Sequence, residues 1–260
     1  MKHTILSEKQ SQILENLIVK YGQIVTSRQI YQEVVNLLGY QQTKNLITKL
    51  VQNGWLVRIK RSLYAIADFS SRGYLNLSPY AVASLLLPES YVSFESALAY
   101  HGLFDQLTHK TVSISLKMHK SVELSGVTYI FIKTKHDYFF GWQDVVIGSL
   151  SAKLATPEKA LVDMVHFHKS QYSIDLVIEK LVEHKDSLNL ERLNDYLSKQ
   201  PATTIKTFGL VFDLLGIDSG EIYKMIKAKK GTSWMLPGDS KFNAKWRLYY
   251  REYFDQYKSY

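Results

Sequence analysis

The sequence predicts an α+β protein in two parts: a small helical module closed by a basic two-stranded hairpin, then a larger α+β domain with a small, mostly antiparallel sheet and a helical tail. Three observations lead there. Apolar residues recur at helical spacing from Ser7 to Gln52, and after Gly54 the period drops from 3.6 to two. Strand-like runs then follow between Thr111 and Ala155. From Thr156 onward, Leu, Ile and Val return in the pattern of packed helices.

The chain has 260 residues, 46% of them hydrophobic and 22% charged, which suits two globular domains. The longest apolar runs, such as Ala81–Leu87, are far too short to span a bilayer. The opening "MKHTILSEKQ" has no apolar signal core, so the protein is expected in the cytosol, with no membrane partner. With no cysteine, disulfides and thiolate metal sites are excluded. The net charge of +8 is concentrated at the ends. Residues 1–68 carry nine basic side chains against four acidic ones, and residues 221–260 the same, around a near-neutral middle. Such clustering suits a polyanionic partner.

Ser7 is placed to cap a first helix with Ile13, Leu14, Leu17, Ile18 and Tyr21 on its inner face, ended by Gly22. Thr26 should cap a second, with Ile30, Val34 and Leu37 inside and Gly39 as its stop. The third, "YQQTKNLITKLVQNG", should bury Leu46, Ile47, Leu50 and Val51. It turns Gln41, Lys44, Asn45 and Thr48 outward, with Gln42, Thr43 and Lys49 beside them. Gln and Asn carry the paired donor and acceptor that match an adenine edge, Lys reaches guanine or phosphate, and Thr meets a thymine methyl. A solvated face would show the same pattern, so the order of elements has to decide.

In "WLVRIKRSLYAIA", Leu56 and Arg58 should point to one side of a strand and Trp55, Val57 and Ile59 to the other. The chain should reverse at Lys60, Arg61 and Ser62. Three helices followed by a hairpin is the order of a winged helix-turn-helix, whose third helix enters the major groove. Residues 1–68 are therefore expected to form a DNA-binding domain. The third-helix residues Gln41, Gln42, Thr43, Lys44, Asn45, Thr48 and Lys49 should meet base edges or nearby phosphates. Arg58, Lys60, Arg61 and Ser62 should meet the backbone or minor groove, and Ser27 and Arg28 should contact phosphate at a helix N-terminus.

Residues 69–260 are expected to form the second domain. "DFSSRGYLNLSP" reads as a linker, and "YAVASLLL" as a helix stopped by Pro88. Ser93 should cap a helix ending at Gly102. "TVSISL", "GVTYIFIK" and "DVVIGSLSAKLA" read as strands. Thr156, Pro157 and Glu158 make a helix start, with Lys159 as a solvated neighbour. Asp163 and His166 share a helical face but His168 does not, so no three-ligand metal site is expected. Neither a glycine-rich phosphate loop nor a catalytic constellation is recognisable, so neither a cofactor nor enzymatic activity is expected. Helices are predicted over 174–184, 190–198 and 203–215. Aromatics at 246, 249, 250, 253, 254 and 257 form a helical stripe suited to core packing. The basic residues among them also leave room for a second nucleic-acid surface.

Three stretches in succession, "LVRIKRSLYAI", "YVSFESALAYHGL" and "ATPEKALVDMV", resemble the AbiEi family, the antitoxins of type IV abortive-infection toxin–antitoxin systems. The resemblance implies a non-enzymatic autorepressor that binds inverted repeats of double-stranded DNA in its own promoter, monomeric in solution and cooperative on DNA. It also implies a C-terminal domain that counters a nucleotidyltransferase-like toxin without a stable complex. Relatives often place Gly at the hairpin tip, where this chain has Ser62. Two other classes remain open at this point: a ligand-responsive regulator, and a nuclease centred in the second domain.

Overall fold

Two capping boxes set the first two helices. Ser7 caps α1 (Glu8–Tyr21) and Thr26 caps α2 (Ser27–Leu38). In each, the hydroxyl accepts the backbone N–H three residues on, while a Gln side chain returns to the cap. Between them lies β1 (Ile24–Thr26), a strand the sequence reading did not anticipate. One residue, Gly39, joins α2 to α3 (Tyr40–Gln52). Its φ of 77° and ψ of 166° lie in a region essentially reserved for glycine. The hairpin is β2 (Leu56–Lys60) and β3 (Leu63–Ile66), and β3 also pairs with β1, giving the order β1-β3-β2. Leu14, Leu17, Val25, Ile30, Val34, Leu50, Leu56 and Ile66 pack into one core. Leu37, expected inside, is 64% exposed.

The structure, a computed structural model, describes residues 5–68, 77–106 and 108–259; most of the Ser- and Gly-containing stretch expected as a linker lies outside them. The chain divides into two compact units. The first runs to Pro88 and takes in Glu123–Val127, while the second holds Glu89–Val122 and Thr128 onward. The first unit therefore extends past the expected boundary at Asp68. The reason is α4 (Pro79–Leu86), which packs on β2 and belongs with the helical module.

A six-stranded sheet is ordered β6-β7-β5-β4-β9-β8, and the second unit is built on its strands other than β6. The strands of the sheet are β4 (Ser90–Val92), β5 (Lys110–Ser115), β6 (Val122–Leu124), β7 (Val127–Lys133), β8 (Trp142–Ile147) and β9 (Leu150–Ala155). The sheet is mixed rather than mostly antiparallel. β5 and β7 run parallel, as do β4 and β9, while β4–β5 and β8–β9 are antiparallel. Parallel neighbours need crossovers, and α6 (Pro157–Phe167) and α5 (Phe94–Tyr100) pack on the sheet. Every residue from Glu158 to Val165 is buried, so α6 is a core helix. Around it come α7 (Gln171–Glu183), α8 (Leu190–Ser198), α9 (Ala202–Leu214) and α10 (Gly220–Ile226).

The C-terminal aromatics do not form a helical stripe. β10 (Ser233–Trp234), β11 (Lys241–Asn243) and β12 (Leu248–Tyr250) make a small sheet, and Glu252–Ser259 is a 3-10 helix. Trp246, Tyr250 and Phe254 still serve the core. Trp246 lies against Gly209 of α9, where an added Cβ would sit 2.3 Å from the ring, and its indole N–H donates to Asp213 Oδ2 at 2.7 Å.

Candidate nucleic-acid interface

The polar face of α3 forms as expected. Gln41, Gln42, Lys44, Asn45, Thr48 and Lys49 are all exposed, because the apolar residues at 46, 47 and 50 fix the opposite face in the core. Gln41 Nε2 donates to Asn45 Oδ1 at 3.2 Å, which orders the two amides one turn apart. Thr48 Oγ1 donates to the Lys44 carbonyl at 3.0 Å, leaving its methyl group as the contact surface. Thr43 departs from the expected set. It is fully buried, and its hydroxyl donates to the Gly39 carbonyl at 2.8 Å, so it holds the turn between the helices and offers nothing to a ligand.

At the wing, Arg58, Arg61 and Ser62 are exposed and Lys60 is half-buried. The register shifts between Arg58 and Lys60, so Ile59 is buried and the simple alternation fails. Lys60 Nζ donates to the Leu86 carbonyl at 3.4 Å, which ties the wing to α4. Ser62 takes the left-handed position of the tip, with φ 61°, the place where a glycine costs nothing.

The wing and α2 are joined directly. The Ser27 backbone N–H donates to the Ser62 carbonyl at 3.0 Å, and Thr26 Oγ1 accepts from Gln29 N–H. Two of the free N–H groups at the start of α2 are thus occupied, leaving the Arg28 N–H, the half-buried Ser27 side chain and the exposed Arg28 guanidinium. An open groove of about 790 Å³ follows, lined by Ser27, Arg28, Tyr31, Tyr40, Lys60 and Arg61 among others. Tyr31 and Tyr40 face each other there, ring centroids 4.9 Å apart, and Tyr40 is 68% exposed. The sequence reading passed over both tyrosines; the signal available was an aromatic directly after the Gly39 turn.

The charge of this surface has one sign. α3 contains no carboxylate, and Glu33, the one carboxylate on α2, is held by Lys20 Nζ at 2.5 Å and Tyr21 Oη at 2.7 Å. The Lys20 bond keeps its carboxyl below the usual range. Among the described residues, Arg28, Lys44, Lys49, Arg58 and Arg61 have no acidic partner.

In the second unit the two further motif stretches meet in a buried polar cluster. Tyr91 Oη and Ser93 Oγ donate to Asp163 Oδ2, at 3.1 and 2.7 Å, and Lys159 Nζ pairs with Asp163 Oδ1. Ser93 stands at the N-cap of α5 as expected, but its hydroxyl serves the buried carboxylate and makes no cap bond, and Lys159 is fully buried rather than solvated. Burial pushes the Asp163 carboxyl up against the opposing pull of Lys159. Glu158, also buried, accepts both Arg192 Nε at 2.9 Å and Arg192 Nη2 at 2.8 Å, and the Asn189 N–H at 2.8 Å. Both buried carboxylates are satisfied by several protein donors, which suits a structural role.

Three short helices, a glycine turn and a basic wing tied to the second helix define a winged helix-turn-helix domain. Residues 12–67 match the model of a family described as transcriptional regulator, AbiEi antitoxin. That match covers the first of the three motif stretches and not the two in the second unit. No curated protein matches the chain in sequence. Among solved structures, the RV2827C protein from Mycobacterium tuberculosis is similar with a TM-score of 0.66 and 16% identity, over 95% of this chain and 92% of that one. At that identity the likeness concerns the fold.

Proposed function

We propose that the chain is a DNA-binding transcriptional regulator and antitoxin that represses its own toxin–antitoxin operon. The observation that carries this is the exposed, carboxylate-free face of α3 beside a wing whose tip is anchored on the N-terminus of α2. In this reading α3 enters the major groove with Gln41, Lys44, Asn45 and Thr48 toward base edges. Arg58, Arg61 and Arg28 neutralise phosphates and set the register. The antitoxin half rests on the AbiEi match of the N-terminal segment. The toxin is taken to be a nucleotidyltransferase-like protein countered without a stable complex, in a type IV phage-defence system. The DNA target is inverted repeats in the promoter.

Binding to a duplex from its own promoter, titrated over NaCl, tests the reading. Arg61→Ala should weaken specific and random duplexes alike and reduce the salt slope by about one unit. Asn45→Ala should cost about 1–3 kcal/mol on the specific duplex and little on the random one. An unchanged slope in the first variant, or equal losses on both duplexes in the second, would remove the proposed docking mode.

A further inference from the structure

The small C-terminal sheet presents a row of aromatic rings that the core does not use. In its register Trp234 of β10 lies opposite Tyr249 of β12, and Phe242 of β11 lies opposite Tyr249 from the other side. The Trp234 and Tyr249 rings stack 5.1 Å apart at 16°, and Phe242 follows 5.0 Å from Tyr249 at 49°. Trp234 is 54% and Phe242 47% exposed, while Leu248 and Tyr250, the alternate residues of β12, are buried. One face of the sheet thus closes the core, and the other offers three consecutive rings.

The charge around this row is positive. Lys227, Lys229 and Lys230 lead into β10, and Arg247 stands two residues before Tyr249; all four are exposed. None has an acidic partner among the described residues, in contrast to Lys224, Lys241, Lys245 and Arg251, which are paired. Between Lys224 and Arg251 the chain carries a single carboxylate, Asp239, and this is buried and engaged by Arg251 and the Leu236 N–H. The platform is also fixed from below. The buried Lys206 Nζ donates to the Gly231 carbonyl, to Ser233 Oγ at 3.4 Å and to the Arg247 carbonyl at 3.4 Å, clamping β10 to the approach of β12.

We infer that this face binds single-stranded nucleic acid, with bases stacking along Trp234, Tyr249 and Phe242 and the strand's phosphates held by Arg247 and the lysines before β10. Stacking on successive aromatics suits unpaired bases, since every base offers a π-face and a duplex offers none along its length. Unpaired cations beside such rings select a polyanion over a protein helix, whose apolar face would leave those charges without partners. This surface is separate from the winged helix and does not depend on the promoter-binding reading.

The test is fluorescence anisotropy on the full chain with labelled oligo(U) and oligo(dT) of about ten nucleotides, in a background carrying Arg61→Ala and Asn45→Ala to suppress the winged helix. Both oligomers, or one of them, should bind in a salt-dependent way, and which one binds identifies RNA or DNA as the source. Trp234→Ala should weaken binding about tenfold or more, Phe242→Ala and Arg247→Ala several-fold, with unchanged melting temperatures. Loss of promoter-duplex binding alone, in the winged-helix variants, leaves this result standing. Two outcomes would overturn the inference: oligomers that bind Trp234→Ala as well as the parent, or a self-association of the parent that Trp234→Ala abolishes while single strands fail to bind.

Discussion

Ser62 shows how one side chain can take a position usually left to glycine. Its φ of 61° costs an L-residue about 1 kcal/mol, and the carbonyl it presents accepts the Ser27 N–H. Ser62→Gly should therefore leave the first unit within about 1 kcal/mol of the parent, because glycine's relief is offset by its larger unfolded-state entropy. Ser62→Val should lose about 1–2 kcal/mol. Equal urea midpoints for the serine and valine forms would show that the tip does not hold this geometry. At His166, within α6, the constraint is electrostatic instead. Burial, with Lys159 and Lys169 nearby, lowers its pKa from 6.5 to about 4, while its Nδ1 lies 3.4 Å from Thr204 Oγ1. Folding favours the neutral ring, so its contribution is complete above pH 6.5 and is lost as pH falls toward 4. The melting temperature should drop between pH 7 and 5, and His166→Gln should flatten that drop; an identical profile in both would exclude it. At this scale the sequence was legible for periodic groups, such as Lys44 and Asn45, and failed for groups set by long-range packing. Thr43 reads as polar and exposed until Gly39 gives its hydroxyl an acceptor, and Lys159 reads as solvated until Asp163 and the rings of Tyr91 and Phe140 surround it.

Single elements were most legible where local chemistry dictates them. The caps at Ser7, Thr26 and Thr156 and the stops at Gly22 and Gly39 lie where the sequence puts them, since each is decided within a few residues. The strands were harder. β1 and β4 are three residues each, too short for a period, and the parallel pairing of β4 with β9 joins segments far apart in the chain. The β2 bulge hid itself because alternation alone assumes a regular ladder. Gly39 is the element whose failure should matter most to function. It is at once the end of α2 and the start of α3, in a backbone region closed to other residues, and an added Cβ would meet Gln42 Oε1 at 3.0 Å. Gly39→Ala should destabilise the first unit by about 1–3 kcal/mol. It should also weaken promoter binding by more than the stability loss accounts for at low temperature, because the aim of α3 is set there. A variant that melts early yet binds the promoter with parental affinity at 10 °C would separate the turn from the recognition helix.

At the scale of the whole molecule, the described residues gather into two hydrophobic cores, one around Leu14, Leu17 and Ile30 and the other around Phe208, Leu161 and Trp246. Both charge-rich ends of the sequence map to surfaces suited to nucleic acid, the first on the winged helix and the second around the C-terminal sheet. The near-neutral middle supplies the six-stranded sheet and the helices packed on it. Separate cores imply separate cooperative units, since each buries its own apolar surface and cooperativity follows shared burial. Calorimetry should then resolve two transitions. Leu14→Ala, which opens a cavity in the first core, should shift only one of them, by about 2–5 kcal/mol. Asp163→Ala, which strands the buried Lys159 ammonium in the second, should shift only the other, by about 3–5 kcal/mol. The assignments can be checked independently, because the transition moved by Leu14→Ala should also rise when promoter duplex is added, through binding to the folded winged helix. A single transition moved by both variants would mean that the units fold as one. In that case, damage to the Asp163 cluster would reach DNA binding as well.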